Sequence, residues 1–281
     1  MDKKTKLNLE KQAVEVRKSI VTAVHSAKSG HPGGSLSIAD TLTYLYFYKM
    51  NVDAKNPKDE NRDRFVLSKG HTAPALYSVL AAKGYFPKEE LLSLRKVGAM
   101  LQGHPDMKGT PGIDMSTGSL GQGISAAVGM ALGGKISGAK YRVYTFLGDG
   151  EIQEGQVWEA AMSAAHYKLD NLVAVIDNNN LQIDGEVSKV MSVYPIDEKF
   201  AAFGWNVALC DAHNFDSIDA AFEKTNEKNG KPWVIIQKSI KGKGVSFMEN
   251  NAAWHGTAPN DEQYALAMAD LDKIEKELEG K

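Results

Sequence analysis

The sequence predicts an α/β fold, a doubly wound and mostly parallel sheet with helices on both faces. Two observations carry this. Short apolar runs bounded by turn residues alternate with segments of helical periodicity, and several runs are apolar almost without interruption, as strands covered on both faces are. With 281 residues, 43% hydrophobic and 24% charged, the chain can bury a sizeable core unaided.

Leu7, Val14, Ile20, Val21 and Val24 recur at helical spacing, and the helix they predict ends at Ser29-Gly30, ahead of a glycine-rich loop, His31-Pro32-Gly33-Gly34. Ser37 is suited to cap a second helix carrying Ile38, Leu42 and Leu45, and the aromatic stripe Tyr44, Tyr46, Phe47 and Tyr48 reads as core or as a face towards another subunit. Residues 56–64 form a polar surface connection. Strands are expected at Phe65-Val66-Leu67, Tyr141–Leu147, Leu172–Ile176, Trp205–Leu209 and Trp233–Gln237. Helices are expected at Ala75–Lys83, Leu120–Ile136, Gln153–Tyr167, Glu198–Phe203 and Ile218–Lys228, and the charged run Asp270–Lys281 reads as a solvated terminal helix. The stretch Met100–Gly123, rich in Gly, Pro, Ser and Thr, is too long for an idle loop and calls for a function or a partner. No internal repeat or linker divides the chain, so residues 1–281 read as one domain.

Charge narrows the function. Lys plus Arg number 33 against 35 Asp plus Glu, a net charge of −2, which offers no footprint for nucleic acid or an acidic membrane. A small-molecule ligand is expected. The single cysteine, Cys210, excludes an internal disulfide and a cysteine metal cluster and reads as a small buried side chain. Met1–Glu10 lacks a signal-peptide core, and no window approaches the roughly 18 apolar residues of a membrane helix. The expectation is a soluble, cytoplasmic protein.

Each expected strand is followed by a polar cluster: Ser68-Lys69-Gly70-His71, Gly148-Asp149-Gly150, Asp177-Asn178-Asn179-Asn180, Asp211-Ala212-His213-Asn214 and Ser239-Ile240-Lys241-Gly242. In an open parallel sheet these ends share one edge, where ligands bind. Asp149 between two glycines combines a carboxylate for a hard cation with backbone that can approach an anion. Asn179, one strand along, adds a neutral oxygen. Such a set is too weak a cage alone but suits Mg²⁺ whose other ligands are phosphate oxygens. Either cluster by itself reads as a turn; together, at matching strand ends, they favour a cation–diphosphate site.

Four of the seven histidines, His31, His71, His104 and His255, lie in loops beside glycine, where imidazole can move protons near neutrality or donate to an oxygen. Their spacing argues against zinc. His25 and His166 fall on expected helices and read as structural. Gly118–Gly123 (GSLGQG) has no preceding strand, so it is not a dinucleotide fingerprint.

Gly148-Asp149-Gly150-Glu151, Glu154-Gly155 and Asp177–Gly185 (DNNNLQIDG) resemble the thiamine-diphosphate motif of transketolases. Ser29–Gly33, Leu67–His71, Gly103-His104-Pro105, Thr117–Gly123, Lys241–Gly244 and Trp254-His255-Gly256 are similar to transketolase loops in the same order, so the resemblance spans nearly the whole chain. It implies thiamine diphosphate with Mg²⁺, for which Ca²⁺ or Mn²⁺ can substitute. The metal would be held by Asp149, Asn179 and the carbonyl of Leu181. The cofactor would be met by His71, Gly118, Leu120, Gly150, Glu151, Asn179, Lys241 and His255. Glu154 would link two cofactor sites across a dimer, and His31, His104 and His255 would face the sugar.

A full transketolase continues with pyrimidine-binding and C-terminal domains. The resemblance therefore implies the N-terminal subunit of a split enzyme, moving a two-carbon ketol unit between sugar phosphates. A separate C-terminal chain would complete it, within a heterotetramer. The alternatives are a cofactor-binding module without chemistry and a 1-deoxyxylulose-phosphate synthase-like or dehydrogenase-type subunit.

Overall fold

All five expected strands form and pair in parallel: β1 (Arg64–Leu67), β2 (Val143–Gly148), β3 (Leu172–Asn178), β6 (Asn206–Asp211) and β7 (Trp233–Lys238). The computed structural model describes residues 1–280. The sheet order is β1-β2-β3-β7-β6. The two short strands left over, β4 (Leu181–Gln182) and β5 (Gly185–Glu186), make a separate antiparallel hairpin.

Ten α-helices accompany the strands in the described residues: α1 (Lys3–Ala27), α2 (Pro32–Ser37), α3 (Ala39–Tyr44), α4 (Ala73–Lys83), α5 (Gln122–Ser137), α6 (Gly155–His166), α7 (Val187–Val190), α8 (Ile196–Ala202), α9 (Phe215–Lys224) and α10 (Asp261–Glu279). Alternate strand residues serve two cores, because successive side chains leave a strand on opposite faces. Tyr144, Phe146, Val173, Val175 and Ile235 join residues of α1, α3, α4 and α9 on one face. Val143, Leu147, Ala174, Ile176 and Val234 join α5, α6 and α8 on the other. The predicted double winding is therefore present.

Several boundaries differ from the sequence reading for identifiable reasons. His31-Pro32-Gly33-Gly34 is not a loop feeding a helix; Pro32 opens α2 and Ser37 ends it. Proline's fixed φ suits a first helical turn. Ser37 caps nothing, since its Oγ donates to the Asp177 carboxylate at 2.6 Å. The expected helix at 270–281 begins at Asp261, where Asn260 and Gln263 close a reciprocal capping box; Lys281 lies outside the described residues. Residues 100–121 hold no regular strand or α-helix but are tied to the body. Tyr77 Oη donates to the carbonyls of Gln102 and His104, Thr117 Oγ1 to that of Leu67, and Asp114 accepts from the Phe65 amide.

That last stretch enters α5 through Gly123, whose missing side chain is required. A Cβ there would lie 2.5 Å from Ser68 Cα, backbone that cannot step aside. Gly123→Ala should lower stability by about 1–3 kcal/mol, the usual cost of overpacking, read as a lower urea midpoint at unchanged slope. An unmoved midpoint would show that α5 and the end of β1 separate freely.

Candidate active site

Parallel pairing aligns the C-terminal strand ends, so Gly148 stands opposite Asp177, and Asp177 opposite Gln237. Just beyond them lies a cavity of about 220 Å³, bordered by Asp149, Asn179, Leu181, His71, Lys241 and His255 among others. The loops after β1, β2, β3 and β7 converge as expected. The loop after β6 reaches the same edge but contributes none of the lining residues.

Asp149 is buried on the cavity floor. Its Oδ1 accepts from the Gly150 amide at 2.8 Å and its Oδ2 from the Asn180 amide at 2.5 Å. Burial, reinforced by the Asp177 carboxylate, pushes its pKa up to about 7. Two backbone donors thus leave its charge short of solvation, a deficit that a bound cation would remove. The β4–β5 hairpin folds the third loop back over this floor, with Asn180 at a positive φ of 59°. Asn179 is locked within it: Nδ2 donates to Asp177 at 3.0 Å and Oδ1 accepts from the Leu181 amide at 2.9 Å. The carbonyl of Leu181 accepts from Lys241 Nζ at 3.0 Å. The three predicted metal ligands, Asp149, Asn179 and Leu181, therefore border one cavity and are all hard oxygen donors, a set that fits Mg²⁺ or Ca²⁺ better than a softer metal.

Beneath them sits a residue that the sequence reading did not single out. Asp177 is fully buried and accepts from Lys69 Nζ at 2.5 Å, Ser37 Oγ at 2.6 Å, Asn179 Nδ2 and Ser239 Oγ. The Lys69 ammonium and the two hydroxyls hold its pKa low despite burial. It ties together the start of the protein, β1, β3 and β7. Its signal in the sequence was an acid completing an otherwise apolar strand, Leu172–Ile176, where burial of the charge demands partners.

The rim is cationic and imidazole-rich. His31, His71 and His255 form a triangle with ring centroids 5.1, 5.2 and 5.5 Å apart. Gly33 permits this approach, because a Cβ there would lie 2.8 Å from the Trp254 carbonyl. Lys241 Nζ lies 2.8 Å from His255 Nδ1; the ammonium has only donors, so Nδ1 accepts and Nε2 carries the His255 proton. Burial, followed by Lys241 and His31, lowers the His255 pKa to about 3. Burial, followed by Arg95, His104 and Lys241, lowers that of His31 to about 4, and burial drives His71 lower than its usual range. All three rings are neutral at pH 7. Lys241 itself is brought down to about 8, first by burial and then by Lys69.

Proton linkage gives a signed prediction for His31. Its folded pKa lies below the unfolded value of 6.5, so between those values the unfolded chain binds more protons, and this contribution weakens as pH falls. The H31N variant should therefore lose less stability than the parent, or gain more, between pH 7.5 and pH 5. Parallel Tm shifts in the two proteins would contradict it.

The other predicted contacts are distributed around the cavity and beside it. Glu151 borders the cavity with its carboxylate engaged by Ser68 Oγ at 2.5 Å and by the Gly121 and Gly148 amides at 3.0 Å, so it also braces the loops around it. Gly118 lies against the His104 ring and lines a neighbouring hollow with Thr117 and Gln122. His104 is exposed and stands outside the imidazole triangle. Gly150, Leu120 and Glu154 do border the cavity, Leu120 and Glu154 with exposed side chains. Of the histidines read as structural, His25 stacks on Tyr264 at 4.2 Å and meets Asp261, and His166 packs edge-on against Tyr167.

A ligand cavity at the C-terminal tips of a doubly wound parallel sheet places the chain among the α/β folds that bind cofactors at that edge. A family model described as transketolase, thiamine diphosphate binding domain, matches residues 9–272. The chain belongs to this family. It is 48% identical to a 6-deoxy-6-sulfo-D-fructose transketolase subunit of Clostridium sp. (strain MSTE9), covering 95% of this chain and 97% of that protein. It is 45% identical to one of the subunits of the apulose-4-phosphate transketolase of Phocaeicola vulgatus, covering 97% of this chain and 98% of that protein. Human transketolase is 43% identical over 88% of this chain but only 39% of its own length. Among solved structures, transketolase from Campylobacter jejuni superposes with a TM-score of 0.88 at 32% identity, covering 99% of this chain and 47% of that one. The chain thus spans less than half of these longer transketolases and nearly all of the two shorter relatives. Among the described residues, no helix is long and apolar enough to cross a membrane.

Proposed function

We propose that this chain is the cofactor-binding subunit of a two-chain transketolase, transferring a two-carbon ketol unit from a ketose to an aldose with thiamine diphosphate and Mg²⁺. The observation that carries the reading is the convergence of Asp149, Asn179 and the Leu181 carbonyl on one cavity whose rim holds Lys241, His71 and His255. Those oxygens would hold the cation, and the Lys241 ammonium, His71 and the Gly150 backbone would meet the diphosphate. Bound thiamine diphosphate supplies the electron sink for breaking and making the carbon–carbon bond.

The chain's own groups bind and move protons around it. His255, with its proton fixed on Nε2 by Lys241, donates to a sugar or phosphate oxygen. His31, held neutral by burial, would accept a proton from a donor hydroxyl or return it. His104, exposed and outside the imidazole triangle, suits the terminal hydroxymethyl of the donor. The exposed Glu154 suits contact with a second protomer.

A separate chain carrying the pyrimidine-binding and C-terminal domains completes the site, in a heterotetramer located in the cytoplasm. The names of the two shorter relatives specify a sulfosugar and a phosphosugar. The far end of the sugar is accordingly read by the partner chain, and this chain handles the end where the bond is cleaved. Coexpression with such a partner should give ketol transfer from a ketose phosphate or sulfoketose, whereas this chain alone gives none. Full turnover by the isolated chain would overturn the split arrangement.

A further inference from the structure

The loop after β6, which leaves the cavity untouched, contains His213, and its ring belongs to a buried network. Arg17 on α1 grips the carboxylate of Asp40 on α3 through two bonds, 2.8 and 2.5 Å. Asp40 Oδ2 lies 2.8 Å from His213 Nδ1, and the Ile240 amide donates to His213 Nε2 at 2.9 Å. Because Nε2 accepts, the ring proton sits on Nδ1 and is donated to Asp40. Arg17 reaches further: its Nε donates to the Lys243 carbonyl at 3.1 Å. One network therefore holds the backbone on both sides of Lys241.

Arg17 and Asp40 are 6% and 5% exposed. A buried pair of this kind adds little stability over apolar side chains of similar volume, so bulk stability does not account for it. Position does. From the clamped segment Lys241 spans the cavity edge to the Leu181 carbonyl and His255 Nδ1.

We propose that Arg17, Asp40 and His213 form a positioning relay that sets the Lys241 ammonium at the diphosphate cavity, which makes His213 a positioning residue for cofactor binding. The inference rests on the reading of Lys241 as a diphosphate contact. The geometric half is tested without cofactor, by hydrogen–deuterium exchange of the full chain. H213F keeps an aromatic ring but leaves the Ile240 amide without an acceptor and Asp40 without the ring N–H, so exchange within 239–244 should rise by about 10-fold while β2 and α5 keep their protection. H213Q, which can accept from that amide, should restore much of the protection.

The functional half is read by calorimetry with thiamine diphosphate and Mg²⁺ on the chain assembled with its partner. By analogy with groups that orient ligands from behind, H213F should raise Kd by about 10-fold, and by less than about 2-fold in a K241M background, the coupling expected of residues acting through one another. An equal loss in both backgrounds would mark a merely structural role and overturn the relay, as would unchanged exchange at 239–244. Failure of the parent assembly to bind the probe would instead remove the diphosphate reading, an outcome distinct from normal parental binding without coupling.

Discussion

Asp149→Asn should weaken Mg²⁺-dependent binding of thiamine diphosphate by about 100-fold, close to 2.8 kcal/mol at 1.4 kcal/mol per decade, and leave the cofactor-free fold intact. The two halves follow from one fact. The carboxylate is buried with two backbone donors and, among the described residues, no cationic side chain in direct contact, and burial pushes its pKa up to about 7. Asparagine keeps one acceptor and faces the other backbone amide with a donor, a cost of about 1–3 kcal/mol that is offset in part by removing a charge that burial disfavours. A structural aspartate would behave in the opposite way, with lost stability and little effect on the ligand. Calorimetry with the cofactor and Mg²⁺, paired with urea unfolding of the cofactor-free chain, separates the two cases.

Asp177→Leu should have the largest effect on stability. It would strip four side-chain donors, from Ser37, Lys69, Asn179 and Ser239, and leave the Lys69 ammonium buried without its counter-charge. Breaking one partner of a buried pair costs about 3–5 kcal/mol, a large share of the roughly 5–15 kcal/mol typical of a folded domain. Adding Lys69→Met to the variant should recover a good part of the loss, because the orphaned charge goes with it. Urea unfolding of the single and double variants checks this; a loss below about 1 kcal/mol for D177L would show that water or another group replaces the carboxylate.

How far the sequence could be read depended on the kind of signal. Near-continuous apolar runs such as Leu172–Ile176 located every strand of the main sheet, because burial on both faces leaves little room for polar side chains. Since ligand residues of a parallel sheet follow its strands, Asp149, Asn179, Lys241 and His71 could be placed at one edge without coordinates. Helix starts were less legible, because they depend on capping geometry: Asn260 set α10 well ahead of the charged run that suggested it, and Ser37 proved to serve Asp177.

Whether a polar side chain faces a ligand or the protein was not legible at all. Glu151, predicted as a cofactor contact, and Lys69, which follows the first strand, also hold buried partners, and only the three-dimensional arrangement of Ser68, Gly121 and Asp177 shows it. His213 was visible as a member of a strand-end loop, but its partners Asp40 and Ile240 are 173 and 27 residues away. The hairpin β4–β5, too short for periodicity, was hidden in the DNNNLQIDG stretch, and it is this hairpin that brings the Leu181 carbonyl over the cavity.

The most direct test is a crystal structure of the chain grown with thiamine diphosphate and Mn²⁺ in place of Mg²⁺, with data collected to display the metal's anomalous signal. The account predicts a single peak coordinated by an Asp149 oxygen, Asn179 Oδ1 and the Leu181 carbonyl, with diphosphate oxygens filling the remaining positions and the Lys241 ammonium turned towards the phosphate. A metal held elsewhere, or a diphosphate bound away from these three oxygens, would contradict it.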